Sequence, residues 1–431
     1  NTCAESLRLL KMEQDQASRF YRTCKYSCLY KEAKKDFIKA SESVTNFSYF
    51  LAETYYAGQL KPRSLLVVDE AHNADDELCG FIEVSVSENF ARNILKIEMP
   101  EIKTQLAAIK WIKETYRPAV TARIKHFEQM IDSIKGLKES LERGFLNIIK
   151  QYELLDKHIC KLNRFIELYD PDNWIFNLSE SDIRGMRKLE FKPVDVASYA
   201  EQILFKNGHR ILMMSATIID KDGFCQTLGI DKNDCEFISI PSPFPKENRP
   251  IFFFPIGKMG RASIDETLPR LAAAVKSILE QHKNEKGIIH ASTYIIARYI
   301  KENVKDKRLL IHHSDDRSEV LQKHLSSPEP TVLLSPSMQE GVDLKDEASR
   351  FQVLCKVPFP YLGDKIVKKR MTKWSWWYPM QTAKTLMQSL GRSVRSADDH
   401  AVSYILDADF EYFYAKHGSL FPEAFKEVLQ R

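Results

Sequence analysis

No G-x-x-x-x-G-K-[ST] phosphate loop occurs anywhere in the 431 residues. That loop is the usual backbone cradle for nucleotide phosphates, so its absence counts against any nucleotide-hydrolysing reading made from this sequence alone. Long apolar runs are missing too. No stretch reaches the roughly eighteen residues of a membrane-spanning helix, and no membrane partner is expected. The start, Asn1-Thr-Cys-Ala-Glu-Ser6, is polar and has neither a secretory pattern nor an initiator methionine. The expectation is that a phosphate-loop segment lies upstream of Asn1. Cysteine is sparse as well: eight are scattered along the chain, which excludes a disulfide scaffold. An intracellular, reducing compartment follows, with Cys79, Cys160, Cys225, Cys235 and Cys355 as plain thiols. Net charge of one sign is nearly absent. A balance of +4 permits a local basic groove without predicting one.

What is present reads as globular α/β protein. With 44% hydrophobic and 28% charged residues, the chain has the material for roughly two to three cored domains. Leu65–Val68, Ile211–Met214, Gly287–Ile289, Thr331–Leu334, Phe351–Leu354 and Val402–Leu406 are short apolar runs bounded by polar or turn residues. Such runs predict parallel strands buried on both faces. Ligands of open α/β sheets bind at the carboxyl ends of strands, and Asp69, Ser215, Ser335 and Asp407 stand at those ends. Ile124, Phe127, Ile131, Ile134, Leu141, Phe145 and Ile148 recur instead at helical spacing. The expected organisation is a first α/β lobe over 46–87 and 191–240, interrupted by a helical insertion over 88–190. The prolines of Pro241-Ser-Pro-Phe-Pro245 mark a linker to a second lobe over 241–431.

Chemistry concentrates in a few short segments. Val67-Val-Asp-Glu-Ala-His72 places Asp69 and Glu70 after a strand. Mg²⁺ takes hard oxygen ligands beside substrate phosphates, and a second carboxylate can orient the attacking water. A solvated acidic turn is the alternative. Ser215-Ala-Thr217 follows another strand, where its hydroxyls either link neighbouring elements or cap a helix. In Gln388-Ser-Leu-Gly-Arg-Ser-Val-Arg395, two arginines three apart behind Gly391 predict a helical face for a highly charged anion. A salt-bridged surface helix is the other reading. Glu340-Gly-Val-Asp343 offers Gly341 for close backbone approach and Asp343 as an acceptor, or is a simple turn.

Taken in order, Asp-Glu-Ala-His, Ser-Ala-Thr, Glu-Gly-Val-Asp and Gln-x-x-Gly-Arg-x-x-Arg resemble a superfamily 2 helicase, and more narrowly the XPD/DinG (Rad3-like) family. Lys192-Pro-Val-Asp-Val196, Ser242-Pro-Phe-Pro245 and Lys356-Val-Pro-Phe-Pro360 support the narrower match. The insertion over 88–190 resembles that family's Arch domain. The resemblance implies two RecA-like motor lobes and ATP-dependent movement, usually 5′ to 3′, on single-stranded DNA and at duplex junctions. A DNA-binding scaffold without hydrolysis and a translocase that does not unwind are the rivals.

By the resemblance, Asp69 holds Mg²⁺, Glu70 activates water, and His72, Ser215 and Thr217 couple hydrolysis to lobe movement. Gln388, Arg392 and Arg395 would sense the γ-phosphate, and Gly341, Asp343 and Gly391 would lie against the nucleotide. The family also implies a [4Fe–4S] domain before the acidic motif, here 1–45, with Cys3, Cys24 and Cys28 as ligands. A cluster takes four thiolates and only three are visible, so unliganded cysteines are the alternative. Ser292, Thr293 and Tyr294 resemble a phosphate-contacting motif of the second lobe, with a turn as the alternative. Lys365, Lys368, Lys369, Arg370 and Lys373 precede Trp374, Trp376, Trp377 and Tyr378. Basic groups interleaved with aromatics suit single-stranded DNA, and equally suit packing of the following helix.

Overall fold

The computed structural model describes residues 29–57, 60–134, 143–180, 186–313, 315–336 and 344–430. Cys3, Cys24, Cys28, Gly341 and Asp343 lie outside them. The architecture is α/β, and the chain divides into two compact units. One comprises Asn1–Met214 with Thr227–Ile230, the other Ser215–Gln226 with Asp231–Arg431. The first lobe expected from sequence runs to 240, whereas Ser215–Gln226 already groups with the second unit.

In the first unit, β1 (Arg63–Val68) pairs in parallel with β5 (Gly208–Met213), Leu66 opposite Ile211 and Val68 opposite Met213. Among the described residues these two strands are a sheet by themselves. Leu65 is 52% exposed and Val67 and Leu212 are each 47% exposed, so the expectation of strands buried on both faces is corrected for this pair. Two strands offer too little surface to bury both of their faces. The insertion is helical as expected, with helices Arg117–Ile134 and Arg143–Glu167, but it also contributes strands. β2 (Val84–Ser87), β4 (Arg187–Pro193) and β3 (Trp174–Glu180) form an antiparallel sheet in that order. Its core is aromatic: Phe165 from the long helix meets Trp174 at 4.7 Å and Phe191 at 4.8 Å between ring centroids.

The second unit contains a seven-stranded sheet, all parallel, ordered β12-β6-β11-β10-β7-β9-β8. The strands are β6 (Ile251–Gly257), β7 (Gly287–His290), β8 (Leu309–Ile311), β9 (Val332–Ser335), β10 (Phe351–Leu354), β11 (Val402–Asp407) and β12 (Leu429–Gln430). Every residue of the central strands β7, β9 and β10 is buried, including the polar His290, Ser335 and Gln352. Gly287 opens β7 because a Cβ there would meet the Phe351 ring at 2.5 Å. One face is covered by helix Ile264–Gln281, which buries Leu268, Leu271, Val275 and Ile278 at steps of three and four. Leu386 and Leu390 of helix Trp377–Leu390 belong to a separate cluster with Leu354 and Ile405. Among the described residues no helix is long and apolar enough to cross a membrane.

Candidate functional site

In the first unit the chain leaves β1 through Asp69 and turns sharply at Glu70, whose φ is +48°. A non-glycine residue in that left-handed region is held there by its surroundings. The constraint is visible on both sides. Met214 N donates to Val68 O at 2.8 Å and Ala71 N to Met214 O at 2.9 Å, so β5 clasps the turn. Glu70 N donates to Asp69 Oδ1 at 2.9 Å. Both acidic residues are exposed. His72 is buried beneath them, its Nδ1 3.3 Å from Glu70 Oε2, while the Glu70 side chain stays 68% exposed. The result is a pair of solvent-facing carboxylates on a rigid turn. Hard oxygens so placed suit Mg²⁺, which keeps several waters and needs no protein cage.

In the second unit Ser215 Oγ lies 3.3 Å from Thr217 Oγ1 and accepts from Thr217 N at 3.0 Å. Gln388 Nε2 donates to the same Thr217 Oγ1 at 3.4 Å, so the serine–threonine segment and the glutamine of the arginine motif meet.

The arginines themselves are not on a helical face. Helix Trp377–Leu390 stops at Gly391, and Arg392 and Arg395 occupy the turn beyond it. The last carbonyls of a helix need partners from outside it. Buried Gln352 on β10 supplies one, its Nε2 donating to Leu390 O at 2.7 Å. Ser393 Oγ then bonds Ser349 Oγ at 2.7 Å, and Arg395 N donates to Asp399 Oδ2 at 3.1 Å. Arg392 is half-buried and Arg395 exposed, both beside the negative end of a helix, where cations are favoured. Buried His290, which ends β7, is pushed down to about 4, first by burial and then by the charge of Arg392.

Of the groups expected to contact a strand, Ser292 has φ +60° and donates from Oγ to Lys356 O at 3.2 Å. Thr293 caps helix Tyr294–Val304, accepting from Ile296 N. Tyr294 is exposed and lies parallel to the His313 ring, 6.2 Å between centroids. Lys369 is exposed. Arg370 and Trp374 are corrected: they are 3% and 4% exposed. Arg370 packs over Trp377 at 5.4 Å and Lys373 covers Trp374 at 5.0 Å, so the aromatic run packs the helix instead of offering an open ring face.

Among the described residues, no group of three or more His, Cys, Asp and Glu gathers to hold a metal. Among the described residues no disulfide joins Cys79, Cys160, Cys225, Cys235 and Cys355, and Cys79 Sγ donates to Pro193 O at 3.5 Å. Sequence reasoning missed Gln352, Ser349 and Asp399, which shape the arginine turn. Only the position of Asp399 four residues after Arg395 was visible beforehand, and a loop acid there is unremarkable in sequence.

Comparison with known proteins bears on this geometry. Residues 275–428 match the helicase C-terminal domain family. The chain is 23% identical over 429 residues to the ATP-dependent DNA helicase YoaA of Escherichia coli (strain K12), covering 88% of this chain and 66% of that protein. It is 23% identical over 424 residues to the ATP-dependent DNA helicase XPD of Sulfolobus acidocaldarius, covering 90% and 73%. These matches make the chain similar to XPD/DinG-like superfamily 2 helicases. A solved XPD helicase structure superposes with a TM-score of 0.55 at 16% identity over 95% of this chain and 77% of that one. The structure of S. tokodaii Xpd4 gives 0.52 at 16% identity, over 93% and 80%. Both likenesses concern the fold. The chain spans 66% of the length of YoaA.

Proposed function

We propose that the protein couples ATP hydrolysis to movement along single-stranded DNA, 5′ to 3′, and opens duplex junctions. The observation that carries this reading is the Gln388–Thr217 hydrogen bond, which joins two segments 171 residues apart, one of them leading into the arginine turn. A motor needs such a joint, because hydrolysis must be felt by elements that move.

In this reading Glu70 takes a proton from the attacking water, and buried His72 keeps the carboxylate oriented. Mg²⁺ held at Asp69 would neutralise phosphate charge. Arg392 and Arg395 stabilise the charge that develops on the transferred phosphoryl group, a role in which arginine is effective because it never loses its proton. Gly341, Asp343 and Gly391 would contribute to holding the nucleotide, and Ser215 and Thr217 would transmit the change of state. Ser292, Tyr294 and Lys369 contact the strand, with Thr293 fixing the helix start beneath them. Cys3, Cys24 and Cys28, which lie outside the described residues, would supply three of the four thiolates of a [4Fe–4S] cluster. Iron content and a brown colour in anaerobically purified full-length protein test that part separately.

The main test is DNA-stimulated ATPase and strand displacement on tailed duplexes by the full-length protein. DNA binding without hydrolysis sinks the motor reading and favours a scaffold. Hydrolysis without strand displacement favours a translocase that does not unwind.

A further inference from the structure

Asp399 does not belong to any of the motifs above, yet its carboxylate is saturated. Oδ1 accepts from Arg350 Nη1 at 2.8 Å and from His400 N at 2.9 Å. Oδ2 accepts from Arg395 N at 3.1 Å and from Asp346 N at 3.2 Å. The residue is 2% exposed. A charge so deeply buried survives only when paired and fully hydrogen-bonded, and here one guanidinium and three backbone amides meet that demand. Those amides come from two loops, with Arg395 and His400 sharing the one between helix Trp377–Leu390 and β11. Arg395 is in the arginine turn, His400 leads into β11, and Asp346 follows Gly341 and Asp343 by a few residues. Arg350 completes the junction by also donating to His400 O at 3.0 Å and to Glu347 Oε1 at 2.6 Å.

We infer that Asp399 is a positioning residue that locks the arginine turn to the backbone leaving the Glu340–Asp343 segment. Its side chain is buried and its carboxylate oxygens are taken by protein donors. Its contribution is to fix where the Arg395 backbone sits relative to the neighbouring loop, so that the guanidinium is already in place when phosphoryl charge develops. This rests on the role proposed above for Arg395. Preorganised charge is effective because nothing must move at the moment of reaction, and a displacement of about 1 Å can cost on the order of 10²-fold in rate. Asparagine is a demanding substitute, since its amide nitrogen cannot accept from the two N–H groups facing one carboxylate oxygen.

The experiment uses full-length Asp399→Asn, with Arg350→Lys as a second, milder variant that leaves the three amides paired. For Asp399→Asn, kcat for DNA-stimulated ATP hydrolysis falls on the order of 10²-fold with KM for ATP and DNA affinity unchanged. Amide hydrogen exchange loses protection at Asp346, Arg395 and His400 while β7 and β10 remain protected. Arg350→Lys moves kcat in the same direction by less. An unchanged kcat, a change in KM alone, or loss of protection spread equally over β7 and β10 overturns the inference. If the unsubstituted protein has no ATPase, the proposed function fails instead, and the exchange pattern still decides whether Asp399 holds the two loops together.

Discussion

The parallel sheets of the two units differ in how far they support themselves. The second unit buries β7, β9 and β10 completely between helices, and its strand ends carry His290, Ser335 and Asp407, all buried. Asp407 accepts from the amides of Met259, Val357 and Asp409, and burial pushes its carboxyl up. In the first unit, among the described residues, β1 and β5 pair only with each other, and their strand end presents the exposed Asp69 and Glu70. Polar groups at strand ends thus serve two purposes. In the second unit Asp407 fastens neighbouring loop amides, whereas in the first the acidic pair stays open to solvent. Rigidity suits residues that stabilise developing charge, and exposure suits carboxylates that must bind a hydrated cation and a water.

That contrast is broken or sharpened most by the arginine turn. Arg395→Ala or Arg392→Ala is expected to lower kcat by ~10³ to 10⁵-fold, as loss of a phosphoryl-stabilising arginine does, with folding intact. An effect on stability alone would reduce the turn to scaffold. On the exposed side, Glu70→Gln should cost roughly 10² to 10⁴-fold in hydrolysis, the range for a general base, while single-stranded DNA still binds. Steady-state ATPase with a parallel binding titration reads both outcomes.

Stability separates the sheets next. Ile289→Ala in β7 should cost about 2–5 kcal/mol in chemical denaturation. Val67→Thr on the open face of β1 should stay within about 0.5 kcal/mol, and a larger cost would mean that this face is covered in solution. Acid provides an intermediate effect. His290 and His324 are buried and pushed down from 6.5 to about 4. The unfolded chain therefore takes up protons first as pH falls. The stability these rings contribute is fully present above pH 6.5 and is lost as pH falls toward about 4. Each contributes at most about 1.4 kcal/mol per pH unit, and denaturation midpoints measured at pH 7 and pH 5 show the loss.

Much of the second sheet was legible because β7, β9, β10 and β11 are short apolar runs closed by polar residues. β6 escaped notice beside Pro250 and Pro255, and β8 and β12 are too short to register as periodic. β3 and β4 were hidden in a segment whose helices dominate its pattern. Spacing by three and four placed Gln388, Arg392 and Arg395 on one helix, although the helix ends at Leu390. Periodicity shows where residues would align, not where the hydrogen-bond ladder is exchanged for side-chain partners. Likewise, alternating basic and aromatic residues do not reveal that Arg370 and Trp374 face inward.

The sequence by itself determined the chemical inventory and its order: a strand-ending acidic pair, a serine–threonine segment, a paired-arginine motif, and strands apolar enough to be buried. These are properties of residue type and spacing, which act locally. Tertiary structure alone decided which partners satisfy the buried polar groups. Gln352 completes the helix that precedes the arginines, Gln388 meets Thr217, and Asp399 gathers amides from two loops. Those pairings follow from the cost of leaving a buried donor or acceptor unpaired, and that cost arises only once the chain has folded around it.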